Sequence, residues 1–108
     1  MKAPPTVLDI LFPKVRAEIL RLLFSDPARQ RYVRELMAMS GLALRTVQEE
    51  LAKLSAAGLV TSWSNGYHRF YRANADHSLF SHLMSIVRKS ARLPRVKKAS
   101  PRRRRVRR

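Results

Sequence analysis

The side chains of this 108-residue sequence that could do chemistry are mostly cationic: 23 Lys and Arg stand against 7 Asp and Glu, a formal net charge of +16. Such an excess recruits a polyanion, and nucleic acid is the first class to consider. Arg102, Arg103, Arg104 and Arg105 form an unbroken run whose simplest chemistry is sequence-independent contact with phosphates. The other reactive types do not assemble. Asp76, His77 and His82 come nearest to a metal-ligand set, but the spacing of the two imidazoles does not align them on one helix face, and zinc needs more ligands than this to converge. No Ser, His and Asp grouping points to a nucleophile, and 3 glycines cannot build a phosphate-cradling loop. The chemistry is that of a binding protein; no enzyme activity, metal or cofactor is expected.

Composition narrows the setting. The sequence has 0 cysteines, which excludes disulfides and thiolate metal sites and fits a reducing compartment. The apolar stretch from Val7 to Phe12 is short and broken by Asp9, unlike a signal-peptide core or a membrane span. The expectation is a soluble cytoplasmic protein, with no amphipathic membrane anchor beside its tail. With 45% hydrophobic residues the chain can bury one small core, shared with a partner chain, and not two domains. All the acidic residues precede residue 90, whereas 90–108 carries basic charge alone with two prolines. Like-charge repulsion and few apolar groups cannot offset the entropy of ordering that stretch. The expected organisation is a flexible arm at 1–6, a folded body at 7–89 and a disordered basic tail at 90–108.

The elements that must position these groups follow from periodicity. Thr6 and Asp9 form a capping-box-like start to a short helix at 7–12. Pro13 opens a second helix whose Val15, Ile19, Leu22 and Leu23 recur at helical spacing. Residues 33–39 form a short helix with Leu36 and Met37 inward, and Gly41 supplies a tight turn. A longer helix at 44–57 buries Val47, Leu51 and Leu54 and stops at Gly58. The period then changes to two. Strands at 59–64 and 67–72 flank Asn65-Gly66, the dipeptide of a type I′ turn, which sets Ser64 opposite Tyr67, Trp63 opposite His68, Thr61 opposite Phe70 and Val60 opposite Tyr71. A last helix at 76–89 carries a broad apolar stripe, wide enough to meet a second subunit.

Helix, tight turn, helix and hairpin in this order are the layout of a winged helix-turn-helix: mainly α with a small β-hairpin, its second helix entering the major groove. VRELMAMSGLALRTVQEELAKLSAAGLV followed by SWSNGYHRFYRANADHSLF resembles the ArsR-type winged-helix transcriptional regulators. LFPKVRAEILRLLF and YRANADHSLF are similar to the winged-helix half of proteins that continue into a minimal nucleotidyltransferase domain. The resemblance covers about residues 8–89. It implies a dimeric regulator, a repressor, that binds double-stranded DNA through the helix at 44–57 and the hairpin as wing, with terminal helices forming the homodimer. Leu8, Leu11, Phe12, Leu79, Phe80, Leu83, Met84 and Val87 are the residues expected at that interface. The sequence stops where the nucleotidyltransferase domain would start, so that activity does not carry over. The alternative is an interaction module that recruits a separate protein partner such as a nucleotidyltransferase. RNA binding through the tail is a third reading, against which the body lacks an aromatic stacking platform.

Within that frame the DNA-facing candidates are Arg31 and Arg34 at the start of the first helix of the pair, Leu44, Arg45, Thr46, Gln48, Glu49 and Lys53 on the second, and Asn65, His68, Arg69 and Arg72 on the wing. Gln48 can pair with adenine, and Arg69 is favoured for phosphate or minor-groove contact over Trp63, which with Tyr67 covers the sheet. Glu49 and Lys53 also have the spacing of an exposed ion pair, and Arg31 and Arg34 can equally form a solvated face. Ala43 stands where a Ser or Thr cap is usual, and Arg45 adds a cation at the positive end of the helix. A docked phosphate would relieve both; a tolerated poor cap is the other reading.

Overall fold

The structure, a computed structural model, describes residues 4–97. Helix α1 (Val7–Leu11) starts with the expected reciprocal cap, in which the Asp9 amide donates to Thr6 Oγ1 at 3.2 Å and the Thr6 amide to Asp9 Oδ2 at 2.9 Å. Helix α2 (Lys14–Phe24) follows Pro13 and buries Ile19, Leu22 and Leu23. Helix α3 (Val33–Ser40) buries Leu36. It ends at Gly41, whose φ of 77° is the left-handed turn between the two helices of the motif. Helix α4 (Leu44–Ala56) buries Val47, Leu51 and Leu54. It closes with a Schellman pair: Gly58 N–H donates to the Ser55 carbonyl and Leu59 N–H to that of Leu54. These side chains, with Phe24, Val60 and Val87, form one core beneath the sheet.

The sheet has three strands rather than a lone hairpin. β1 (Arg31–Tyr32), β2 (Val60–Ser64) and β3 (Arg69–Ala73) are antiparallel in the order β1-β3-β2. The register corrects the expected one by two residues: Ser64 faces Arg69, Trp63 faces Phe70, Thr61 faces Arg72 and Val60 faces Ala73. The cause lies in the loop. Asn65 does not adopt positive φ, so the type I′ turn does not form. Its side-chain oxygen instead accepts from the amides of Tyr67 at 3.0 Å and His68 at 2.9 Å. Asn65 N–H donates to the His68 carbonyl, leaving Gly66 and Tyr67 as the loop with Gly66 at φ 100°. Positive φ at the first loop residue alone is the requirement of a II′ turn. A two-residue slip preserves the faces, so Val60 and Ala73 still point into the core.

Helix α5 (Phe80–Arg92) starts later and ends later than the expected 76–89. Ahead of it, Asn74 Oδ1 accepts from the Asp76 amide and His77 Nδ1 from the Leu79 amide, so local turns hold the stretch that the periodicity assigned to helix. The helix passes Ser90, which is buried and donates to the Val87 carbonyl. Arg95 and Val96 then donate to the carbonyls of Pro4 and Pro5. No helix among the described residues is long and apolar enough to cross a membrane.

Candidate nucleic-acid interface

Three elements bring cationic and amide side chains to one cleft. Arg34 comes from the first turn of α3, Leu44 and Gln48 from the first two turns of α4, and Tyr67, His68 and Arg69 from the wing. The cleft has a volume of about 380 Å³, and no carboxylate lines it. Gly66 turns the chain so that Tyr67 projects from the wing tip with 92% of its surface exposed. This corrects the expectation that Tyr67 covers the sheet, because the shifted loop places it in the turn. Arg69 Nη1 donates to Ser62 Oγ at 3.1 Å, an exposed contact that holds the guanidinium beside the cleft. Gln48 is exposed on the same side, with no hydrogen bond to its amide among the described residues.

The start of α4 has no side-chain cap, and Ala43 is extended. Arg45 Nε lies 3.3 Å from Glu49 Oε2, both side chains well exposed, so Glu49 offsets the cation next to the helix N-terminus. Glu49 thus pairs with Arg45, one turn back, rather than with Lys53. Thr46 is half-buried and outside the cleft wall.

Other candidates are placed elsewhere. Arg31 is not at a helix start but on β1, opposite Tyr71, its side chain 12% exposed and its Nη1 3.8 Å from Glu35. Lys53 lies about one and a half turns along α4 from Gln48, beside Arg16 on a separate apolar cavity. Asn65 uses its side-chain oxygen within the loop. Arg72 lies 5.1 Å above the Trp63 ring on the outer face of the sheet, away from the cleft. Arg102, Arg103, Arg104 and Arg105 lie outside the described residues.

The outer face of the sheet carries what the sequence reading did not find. Trp63 and Phe70 stack at 5.9 Å, and the cluster continues through Tyr32 to His68, 4.9 Å from it, both of which also line the cleft. The rings pack on one another, Trp63 stacked on Phe70 and Tyr32 edge-on to it, and cover the sheet, as expected for Trp63. Glu50 was also missed: it is 6% exposed and accepts from Arg16 Nε at 2.6 Å, tying α4 to α2. Its place directly after exposed Glu49 hid it, although it lies at helical spacing from buried Val47 and Leu54.

Of the residues expected at a dimer interface, Leu8 and Val87 are corrected. They are 3% and 1% exposed, packed in the chain's own core, and have no surface to offer a partner. Phe12, Phe80, Leu83 and Met84 are half-buried against that core. Leu11 and Leu79 are exposed, as are Ile10 in α1 and Leu93 at the end of α5. His77 is engaged on both ring nitrogens: Nδ1 accepts from the Leu79 amide, so Nε2 donates to the Ala57 carbonyl. Among the described residues no three His, Asp or Glu side chains gather as metal ligands.

Residues 13–62 match the family of bacterial regulatory proteins, arsR family. That span runs from the start of α2 through the helix-turn-helix into β2. No curated protein matches the chain.

Proposed function

We propose, from the premise that residues 13–62 are an arsR-family helix-turn-helix domain of a DNA-binding, non-enzymatic transcription regulator, that this protein is a homodimeric cytoplasmic repressor that reads a specific duplex sequence. The observation that carries this reading is the cleft between α3, α4 and the wing, where Arg34, Gln48, His68 and Arg69 meet without a carboxylate on the wall. In the proposed complex α4 lies in the major groove, with Gln48 at a base edge and Arg45 and the α4 amides against phosphate. Arg34 and Arg69 meet the backbone on either side, and Tyr67 at the wing tip follows the adjoining groove. Exposed Ile10, Leu11, Leu79 and Leu93 support a second copy against α1 and α5, giving two α4 helices for two half-sites. The basic residues after 97 add phosphate contacts that carry no base preference. Selection of bound fragments from random duplex DNA tests this: paired half-sites about one helical turn apart are expected, and a pool without sequence enrichment contradicts it.

A further inference from the structure

A second cavity, of about 350 Å³, lies between α2, the end of α4 and the start of α5, on a different wall of α4 from Gln48. Phe12, Leu20, Leu54 and Leu83 form much of its apolar wall, and its charged groups are two cations, Arg16 and Lys53. Leu79 lines it as well, so the second copy proposed against α1 and α5 packs at the rim of this cavity. An apolar hollow of this size with few polar groups has the general form of a small-molecule site.

We propose that this cavity is a regulatory site for a compact monoanionic amphiphile, an organic acid whose apolar body rests on the leucines and whose carboxylate meets Lys53 and Arg16. Charge complementarity selects the occupant. Lys53 is exposed and forms no ion pair among the described residues, and Arg16 commits its Nε to Glu50 while its side chain stays 35% exposed. A second copy of the chain is poorly equipped to supply the carboxylate. Asp9 is held by Thr6, Glu18 by Arg21, Glu35 by the Tyr32 amide, Glu49 by Arg45 and Glu50 by Arg16, leaving Asp26 and Asp76.

Arg16 also couples the site to α4. Glu50 is buried, and Arg16 is its ion-pair partner among the described residues. A carboxylate that draws the Nε–H as well as the terminal N–H groups takes Arg16 from Glu50, and a Glu50 left charged and unpaired in the interior favours a displaced α4. Since α4 carries Arg45 and Gln48, the bound acid weakens the grip on DNA. This regulatory step rests on the proposed function; the site itself does not.

Octanoate is the probe and octanol its neutral counterpart, each titrated into the full chain and followed by amide NMR. Saturable shifts at residues 16–20, 53–59 and 79–83 with octanoate, weaker binding of octanol, and several-fold weaker octanoate binding in the exposed-site variant Lys53→Glu are expected. No saturable shift at these residues, or undiminished affinity in Lys53→Glu, overturns the site. With a selected duplex, saturating octanoate should lower DNA affinity by about tenfold; unchanged affinity overturns the regulatory step. A chain that takes up octanoate yet binds no duplex contradicts the proposed function while supporting the site.

Discussion

The Arg16 guanidinium donates through Nε to a Glu50 carboxylate oxygen at 2.6 Å, joining α2 to the buried side of α4. Removing one partner strands the other. Arg16→Leu should destabilise the fold by about 2 kcal/mol or more in urea unfolding, the range for broken buried pairs reduced for the partial exposure of Arg16. The paired variant Arg16→Leu with Glu50→Leu should recover much of that loss. Equal stability of Arg16→Leu and the parent chain would remove the structural role given to this pair.

Ala43→Ser supplies the cap that α4 lacks. It should raise stability by about 1 kcal/mol, read as a shift in the urea midpoint. Because the new hydroxyl takes an amide that phosphate would otherwise meet, DNA affinity should fall and the salt dependence should flatten. A stabilised protein with unaltered DNA affinity and salt slope identifies Ala43 as a tolerated poor cap and nothing more.

Much of this arrangement is legible in the residues. Ile19, Leu22 and Leu23 in α2 and Val47, Leu51 and Leu54 in α4 recur at helical spacing and are all buried, because a long amphipathic helix offers one economical way to bury them. The faces of the wing are equally readable from its period of two. Its register is not, since it depends on whether Asn65 bends its own backbone or uses its side chain to hold the next amides, and the latter occurs. Strand β1 has no local signature at all: Arg31 and Tyr32 are extended because β3 pairs with them. The late start of α5 is local, like the wing loop: side chains of Asn74 and His77 capture nearby amides as Asn65 does. The cleft is therefore half legible. Gln48 and Arg69 follow from the motif, whereas Tyr67 enters only once the loop has moved by one residue.

The loop itself is testable. Gly66 holds φ 100°, a conformation that L side chains rarely adopt. Gly66→Ala should cost about 1 kcal/mol or more, although a Cβ there meets no atom within 4 Å. Trp63, the one tryptophan, sits on β2 and reports wing melting by its fluorescence. A neutral substitution would contradict the positive-φ turn.

Gln48 and Arg69 should fail differently. Gln48→Ala should relax base preference at one operator position, worth about 1–3 kcal/mol of discrimination. Arg69→Ala should weaken all duplexes alike and reduce the log-log salt slope by about 0.9. Binding measured on matched and single-mismatch duplexes across a salt series separates the two. The same effect from both variants would deny them distinct roles.

The dimer rests on exposed apolar side chains, of which Leu79 is 48% exposed just ahead of α5. Leu79→Asp should yield a folded monomer in sedimentation with weaker DNA binding, because the second half-site is lost. A dimer of undiminished strength would place the interface elsewhere.

The central claim is that the first turns of α4 and the tip of the wing together grip duplex DNA. Amide NMR of the full chain, titrated with a duplex selected from a random pool, tests it most directly. Residues 44–49 and 65–69 should shift together and saturate at one stoichiometry, while the outer face at Trp63 and Arg72 changes little. Shifts confined to residues 98–108, with 44–49 unmoved at saturation, would show that basic charge alone holds the DNA and would contradict the account.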